Sequence, residues 1–313
     1  MGEVSPQRPS IVVSVPTKEL LSALQPVPAG AEVLVWDMTT PPPRERFDIV
    51  VPPYMSLSRV MEQLTQVDAR LVQSQSIGYE GIAEQLPPGN VFANAASVHE
   101  ASTAELAVAL TLASQRHLPT FVRAQDEGRW ASEFADSLAD RRVLLLGYGG
   151  VGKAVAARLA GFEVELTVVA SRARFEDGVS VHGVERLHEL LQTAEIVIVT
   201  LPGGPETRHI IDAAALAALP DGALVVNVGR GPLIDTDALV AELQRGRLRA
   251  ALDVTDPEPL PSGHPLWRLP GALIVPHVGG NTSAMKPRTV RLIRTQIERM
   301  LAGEPPLNVV YES

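Results

Sequence analysis

The stretch Val143-Leu144-Leu145-Leu146-Gly147-Tyr148-Gly149-Gly150-Val151-Gly152 joins a continuous apolar run to glycines spaced G-x-G-x-x-G, and residues 151–159 beyond it have the composition of a helix. A strand, a glycine turn and a helix in that order form a cradle for phosphates. Gly147 permits the tight turn, Gly149 lets the backbone approach a pyrophosphate, and Gly152 lets the helix pack close to the strand. The start of the helix adds unpaired N–H groups and a partial positive charge. Residues 147–153 also spell G-x-x-x-x-G-K, the opening of a nucleoside-triphosphate loop. Ala154 then stands where a Ser or Thr hydroxyl would have to hold magnesium, so a dinucleotide is the expected ligand.

Outward from this turn the pattern is regular. Residues 164–170, 196–201, 223–228, 248–254 and 272–275 read as strands. They alternate with helical stretches at 187–191, 213–219 and 235–244, and Asp235 or Thr236 is placed to cap the last of these. Strands that are apolar on both faces and separated by helices predict a parallel sheet covered on both sides. Upstream, residues 11–15, 32–36, 48–51 and 70–73 are shorter candidate strands, residues 58–66 have a short helical period, and together they predict a second, small α/β unit. The Ala- and Leu-rich stretch 100–116 predicts a long buried helix able to bridge the two units. An amphipathic helix over 284–301, ended by Gly303, is expected to return to the first unit. The expected division is therefore a discontinuous domain of 1–100 with 284–313, and a second domain of 101–283.

The chain has 313 residues, enough for two domains, and 27 Lys+Arg against 36 Asp+Glu give a net charge of −9. Nucleic acid and anionic membrane surfaces both need a basic face, so neither is an expected partner. Hydrophobic residues make up 45% and charged residues 20%, a globular balance. The absence of cysteine excludes disulfides, thiolate metal sites and cysteine nucleophiles; no metal site is expected. Residues 1–10 are polar and lack the apolar core of a signal peptide, and no apolar run approaches the roughly 20 residues that span a bilayer. A cytoplasmic protein is expected.

In a dinucleotide fold an acid at the end of the second strand, about 20 residues past the glycines, binds the ribose 2′-hydroxyl of NAD. Here the second strand ends at Ala170 and Ser171-Arg172-Ala173-Arg174 follows, while Glu163 and Glu165 lie at the wrong end. A carboxylate would repel a 2′-phosphate; Ser171, Arg172 and Arg174 could hydrogen-bond it. NADP(H) is therefore expected over NAD(H), which the site could still accept.

Three polar residues each follow a predicted parallel strand: Arg230 in Asn227-Val-Gly-Arg-Gly231, Glu258 in Asp253-Val-Thr-Asp-Pro-Glu-Pro259, and His277 in Pro276-His-Val-Gly-Gly-Asn-Thr282. In an open parallel sheet these strand ends share one edge with the glycine turn. Reduction of a 2-keto acid needs a hydride from the cofactor, a proton for the alkoxide and a cation for the carboxylate. His277 can exchange the proton. Glu258 on the other ring nitrogen would favour the protonated ring, and Arg230 can hold a carboxylate by its planar fork.

With these motifs in order, joined by 194–202, Pro205-Glu-Thr207 and His264-Pro-Leu-Trp267, the sequence resembles the D-isomer-specific 2-hydroxyacid dehydrogenase family over nearly its whole length. The resemblance implies two doubly wound α/β domains, a Rossmann-type cofactor domain and a smaller flavodoxin-like substrate domain, with the active site between them and a homodimer formed through the cofactor domain. It implies Arg230, Glu258 and His277 as the catalytic set. It also implies the backbone amides of Ile77 and Gly78 as holders of the substrate carboxylate, beside Arg230 and His277. Around the cofactor it places Thr103, Gly147, Gly149, Gly150, Val151, Gly152, Leu201, Pro202, Thr207, Val228, Gly229, Arg230, Asp253, His277 and Gly279. Ser171-Arg172 in place of the acid is similar to the NADPH-using glyoxylate and hydroxypyruvate reductases. The sequence ends without the C-terminal regulatory domain of the longer phosphoglycerate dehydrogenases, so serine feedback is not expected. Tyr54, Tyr79, Trp130 and Met285 are expected near specificity loops. A different class remains open at this level: a dinucleotide-sensing corepressor on the same fold, which can keep all three polar residues.

Overall fold

The computed structural model describes residues 11–55 and 60–312. The N-terminal stretch 1–10, and Ser58 and Arg59 of the helical period expected at 58–66, lie outside them. The chain divides into two compact units, one of Met1–His99 with Ser283–Ser313 and one of Glu100–Thr282.

The larger unit carries strands β6 (Arg142–Leu146), β7 (Glu165–Ala170), β8 (Arg174–Glu176), β9 (Val179–Gly183), β10 (Ile196–Val199), β11 (Leu224–Asn227), β12 (Arg249–Leu252) and β13 (Ala272–Ile274). Their spatial order is β13-β12-β11-β10-β6-β7-β9-β8. Without its last strand this is the doubly wound order 3-2-1-4-5-6 extended by one, with the reversal beside β6. Alternation along each strand explains why both faces are closed. Leu144, Leu146, Val197, Val199 and Val225 fill one core. Val143, Leu145, Ile196, Ile198 and Val226 fill the other, together with Ala104, Ala107 and Leu110 of the helix Glu100–Gln115. That helix, expected as a bridge, belongs wholly to this unit.

The smaller unit has strands β1 (Ile11–Val15), β2 (Ala31–Val35), β3 (Arg46–Val50), β4 (Asp68–Gln73), β5 (Val91–Ala93) and β14 (Val309–Glu312), in the order β14-β5-β4-β3-β1-β2. The run 2-1-3-4-5 is the flavodoxin-like order. The C-terminal helix Met285–Leu301 lays Ile293 and Ile297 on Val13, Val15 and Ile49, and it stops before Gly303 at φ +72°.

Some expectations needed correction. Neither sheet is wholly parallel: β14 pairs antiparallel with β5, and β8 antiparallel with β9. Residues 61–66 form a 3-10 helix instead of an α-helical period. Asp235 and not Thr236 caps the helix Thr236–Gln244, accepting from the amide of Ala238, while the Thr236 hydroxyl donates to the carbonyl of Asp256. Among the described residues no helix is long and apolar enough to cross a membrane.

Candidate active site

The glycine turn lies where β6 ends and the helix Gly150–Leu159 begins. Gly147 has φ +110°, a backbone state that side chains disfavour, and a Cβ there would press on the Thr200 hydroxyl. A Cβ on Gly152 would collide with the carbonyl of Gly147. The sequence thus forces a turn that brings the start of the helix against the strand. Gly149 and Gly150 are exposed, nothing lies within 4 Å of where a Gly149 side chain would begin, and Val151 is half-buried. This is an open backbone cradle at a helix start, and the residues present fit a dinucleotide pyrophosphate. Lys153, the residue that suggested a triphosphate loop, has its ammonium on Glu176 at 2.7 Å and Asp177 at 2.9 Å. A lysine committed to two carboxylates does not serve a phosphate loop.

At the same sheet edge, the loops after β11, β12 and β13 bring together Arg230, Glu258 and His277. His277 Nδ1 donates to Glu258 Oε1 at 2.6 Å. That bond, outweighing burial, raises the affinity of the imidazole for its proton. Burial alone would push the Glu258 carboxyl up, but the bond from His277 and its charge prevail and hold it below the ordinary range. The positive charge of Arg230 bears on both groups, easing the proton off each. Arg230 is half-buried, and its backbone is braced by the buried Asn227, whose Nδ2 donates to the Arg230 carbonyl and whose Oδ1 accepts from the amide of Gly229.

His277 itself has φ +50°, an uncommon backbone state for a residue with a side chain. Asp253 holds it there: its carbonyl accepts the His277 amide at 2.8 Å, and its carboxylate accepts the amides of Val278 at 2.7 Å and Gly279 at 3.0 Å. Burial nonetheless pushes the Asp253 carboxyl up, against the two amide bonds. A Cβ on Gly279 would press on that carboxylate and on Thr103, which places Thr103 beside the same turn. Val228 and Gly229 are buried under the Arg230 loop, Leu201 is half-buried and Pro202 exposed. The Thr207 hydroxyl donates to the Pro202 carbonyl at 2.9 Å, tying that loop together.

Ser171, Arg172 and Arg174 are all exposed just past β7. Arg174 is less free than its sequence context suggests: Nε donates to Glu176 at 2.7 Å and Nη2 to the carbonyl of Tyr148, inside the glycine turn, at 3.2 Å. In the smaller unit, Ile77 and Gly78 sit in the turn after β4. Tyr54 stacks on His99 at 5.7 Å, Tyr79 and Trp130 are exposed, and Met285 packs on the small apolar cluster of Ala95, Val98 and Leu292. Sequence reasoning did not single out Asn227 and Lys153 as braces, or Glu176 at all. The first two stand inside the quoted motifs, whereas Glu176 depends on the β8–β9 hairpin, which no periodicity announced.

Residues 108–279 match the profile of the NAD binding domain of the D-isomer specific 2-hydroxyacid dehydrogenase family. The chain is 32% identical to glyoxylate/hydroxypyruvate reductase B of Yersinia enterocolitica over 224 residues, 68% of each chain. It is similar to a solved D-isomer specific 2-hydroxyacid dehydrogenase of Xanthobacter autotrophicus in complex with NADPH and MES, at TM-score 0.79 and 32% identity, covering 96% of this chain and 98% of that one. It is also similar to an NADPH-dependent glyoxylate/hydroxypyruvate reductase of Sinorhizobium meliloti in complex with NADP and malonate, at TM-score 0.78 and 26% identity, covering 96% and 97%.

Proposed function

The chain belongs to the D-isomer specific 2-hydroxyacid dehydrogenase family, and on that basis we propose that it reduces a small 2-keto acid of the glyoxylate or hydroxypyruvate kind to the D-2-hydroxy acid with NADP(H). Membership makes it an NAD(P)-dependent oxidoreductase acting on CH–OH donors. The observation that supports the finer reading is the bond from His277 to Glu258 beside Arg230, on the edge that carries the glycine turn.

When bound, the nicotinamide cofactor supplies the hydride. With Nδ1 committed to Glu258, His277 offers Nε2 as the ring nitrogen that passes a proton to the new alkoxide, or takes it back in oxidation. Glu258 strengthens the ring's hold on its proton. Arg230 holds the substrate carboxylate and polarises the carbonyl, and the Ile77 and Gly78 amides hold the carboxylate as well. The cradle of Gly147, Gly149, Gly150, Val151 and Gly152 holds the pyrophosphate. Thr103, Leu201, Pro202, Thr207, Val228, Gly229, Asp253 and Gly279 line the cofactor.

NADP(H) is preferred over NAD(H) because Ser171-Arg172, and not an acid, directly follows Ala170, and two proteins of this kind were solved with NADPH or NADP. Ser171→Asp tests this: it should lower the ratio of kcat/KM for NADPH over NADH by about 10- to 100-fold, the worth of one or two hydrogen bonds to a charged group. An unchanged ratio overturns the 2′-phosphate assignment. The activity itself is tested by following NADPH absorbance with a panel of 2-keto acids; cofactor binding without turnover of any of them would favour a sensor. A homodimer through the larger unit accords with the exposure of Trp130 and Phe134 and of Leu118 and Val122 on the helix before them; sedimentation equilibrium would read twice the chain mass.

A further inference from the structure

We propose that Asn94, assisted by His99, is a positioning residue for substrate binding: it pins the turn after β4 from behind so that the amides of Ile77 and Gly78 face outward as a pair. This rests on the reading above that those two amides hold the substrate carboxylate.

Three consecutive carbonyls of the turn are taken by one short segment. His99 Nε2 donates to the carbonyl of Gln75 at 2.7 Å, the amide of Ala95 to that of Ser76 at 2.9 Å, and Asn94 Nδ2 to that of Ile77 at 2.8 Å. In a planar trans peptide the N–H points opposite to the C=O. Pinning the Ser76 and Ile77 carbonyls therefore directs the N–H groups of Ile77 and Gly78 to the other side. The preceding amide, of Ser76, is used internally by the Ser74 hydroxyl at 2.9 Å. The next two, of Ile77 and Gly78, have no acceptor among the described residues. The turn therefore presents two adjacent unpaired donors, the arrangement that receives an anion.

Asn94 can do this in one orientation only. Its Oδ1 accepts from the amide of Ala96 at 3.1 Å, so a flipped amide would set oxygen against the Ile77 carbonyl and N–H against N–H. The side chain is buried, so water cannot take over either bond. His99 is buried too. Its Nδ1 has no partner among the described residues, and the bond to the Gln75 carbonyl is its one polar side-chain contact there. A leucine would spare the orphaned nitrogen but lose the hold on the turn.

The test compares glyoxylate with its neutral methyl ester, and measures inhibition by oxamate, in wild type and Asn94→Asp. Aspartate keeps the shape and the bond from Ala96 but presents an oxygen to the Ile77 carbonyl, which turns that peptide away. The expected result is a KM for glyoxylate and a Ki for oxamate raised about 10- to 100-fold, a smaller change in kcat, an unchanged KM for NADPH, and reduced discrimination against the ester. Unchanged glyoxylate KM and oxamate Ki in a folded N94D protein overturn the proposal. Should N94D fail to fold by circular dichroism, His99→Leu and His99→Gln decide: the leucine should raise KM and the glutamine, which can donate again, should restore it, and equal KM values for the two overturn it. If wild type itself does not distinguish acid from ester, the carboxylate reading fails and the proposal with it. If wild type does and N94D behaves alike, only the positioning role of Asn94 fails.

Discussion

Asp253 and Glu258, five residues apart in the loop after β12, are used by the chain in opposite ways. Asp253 is 3% exposed and faces backbone: with its carbonyl it takes three successive amides, those of His277, Val278 and Gly279. Glu258 has a side chain 39% exposed and faces an imidazole. Burial pushes the first carboxyl up, whereas the second is held down by the histidine it binds. The difference teaches that the surroundings of a carboxylate, more than its identity, decide what it controls. Asp253 fixes where the His277 ring is; Glu258 fixes how tightly the ring holds its proton.

The largest effect expected from breaking this arrangement is at the ring itself. On the proposed role, His277→Asn should lower kcat by about 10²- to 10⁴-fold, with the Kd for NADPH little changed. Stopped-flow turnover with separate cofactor titration checks it, and a loss confined to cofactor binding would move His277 out of the acid–base role. Asp253→Ala comes next. It keeps the carbonyl that accepts the His277 amide but strips the acceptors from Val278 and Gly279, of which Gly279 is buried. Leaving such donors unpaired costs about 1–3 kcal/mol, to be read as a shift of the urea midpoint at constant slope. No shift would mean the turn holds its left-handed histidine without the carboxylate.

The contrast was only half legible in the sequence. The large sheet could be read because its strands are apolar on both faces and the glycine turn has a fixed spacing; Val143–Leu146 and Ile196–Val199 declare themselves. Parallel topology then sends Arg230, Glu258 and His277 to one edge without any further information. What could not be read has a physical pattern as well. β5 has three residues and β14 four, and both are recognised by their pairing with distant partners and not by local periodicity. β8 is only Arg174, Phe175 and Glu176 on a polar edge, too short to show a period. Asn94 and His99 act through backbone carbonyls more than a dozen residues away, and such partners leave no trace in spacing. Asp253, by contrast, entered by resemblance, and its hold on three amides of the turn after β13 depends on the fold and not on spacing.

The finest test of the comparison is Glu258→Gln. A glutamine oxygen can still accept from His277 Nδ1, so the ring stays in place and only the charge is removed. The loss in kcat/KM for keto-acid reduction should stay at or below about 10²-fold, the lower end of acid–base contributions. The more telling readout is the pH profile. His277 is held above its ordinary value of 6.5 by Glu258, so without the charge the imidazole gives up its proton at lower pH, and the alkaline limb of the reduction profile should move toward acid. Stability gives a second reading of the same bond. Because the folded value of His277 is raised, its contribution is full below 6.5 and fades as pH rises through that folded value. Because the folded value of Glu258 is lowered, its contribution is full above 4.5 and fades as pH falls through it. Wild type should therefore exceed E258Q in Tm most between pH 4.5 and 6.5, and the gap should narrow on both sides. With 30% and 39% of the two side chains in water the gap is small. A profile whose alkaline limb does not move would show that Glu258 orients its partner without tuning it.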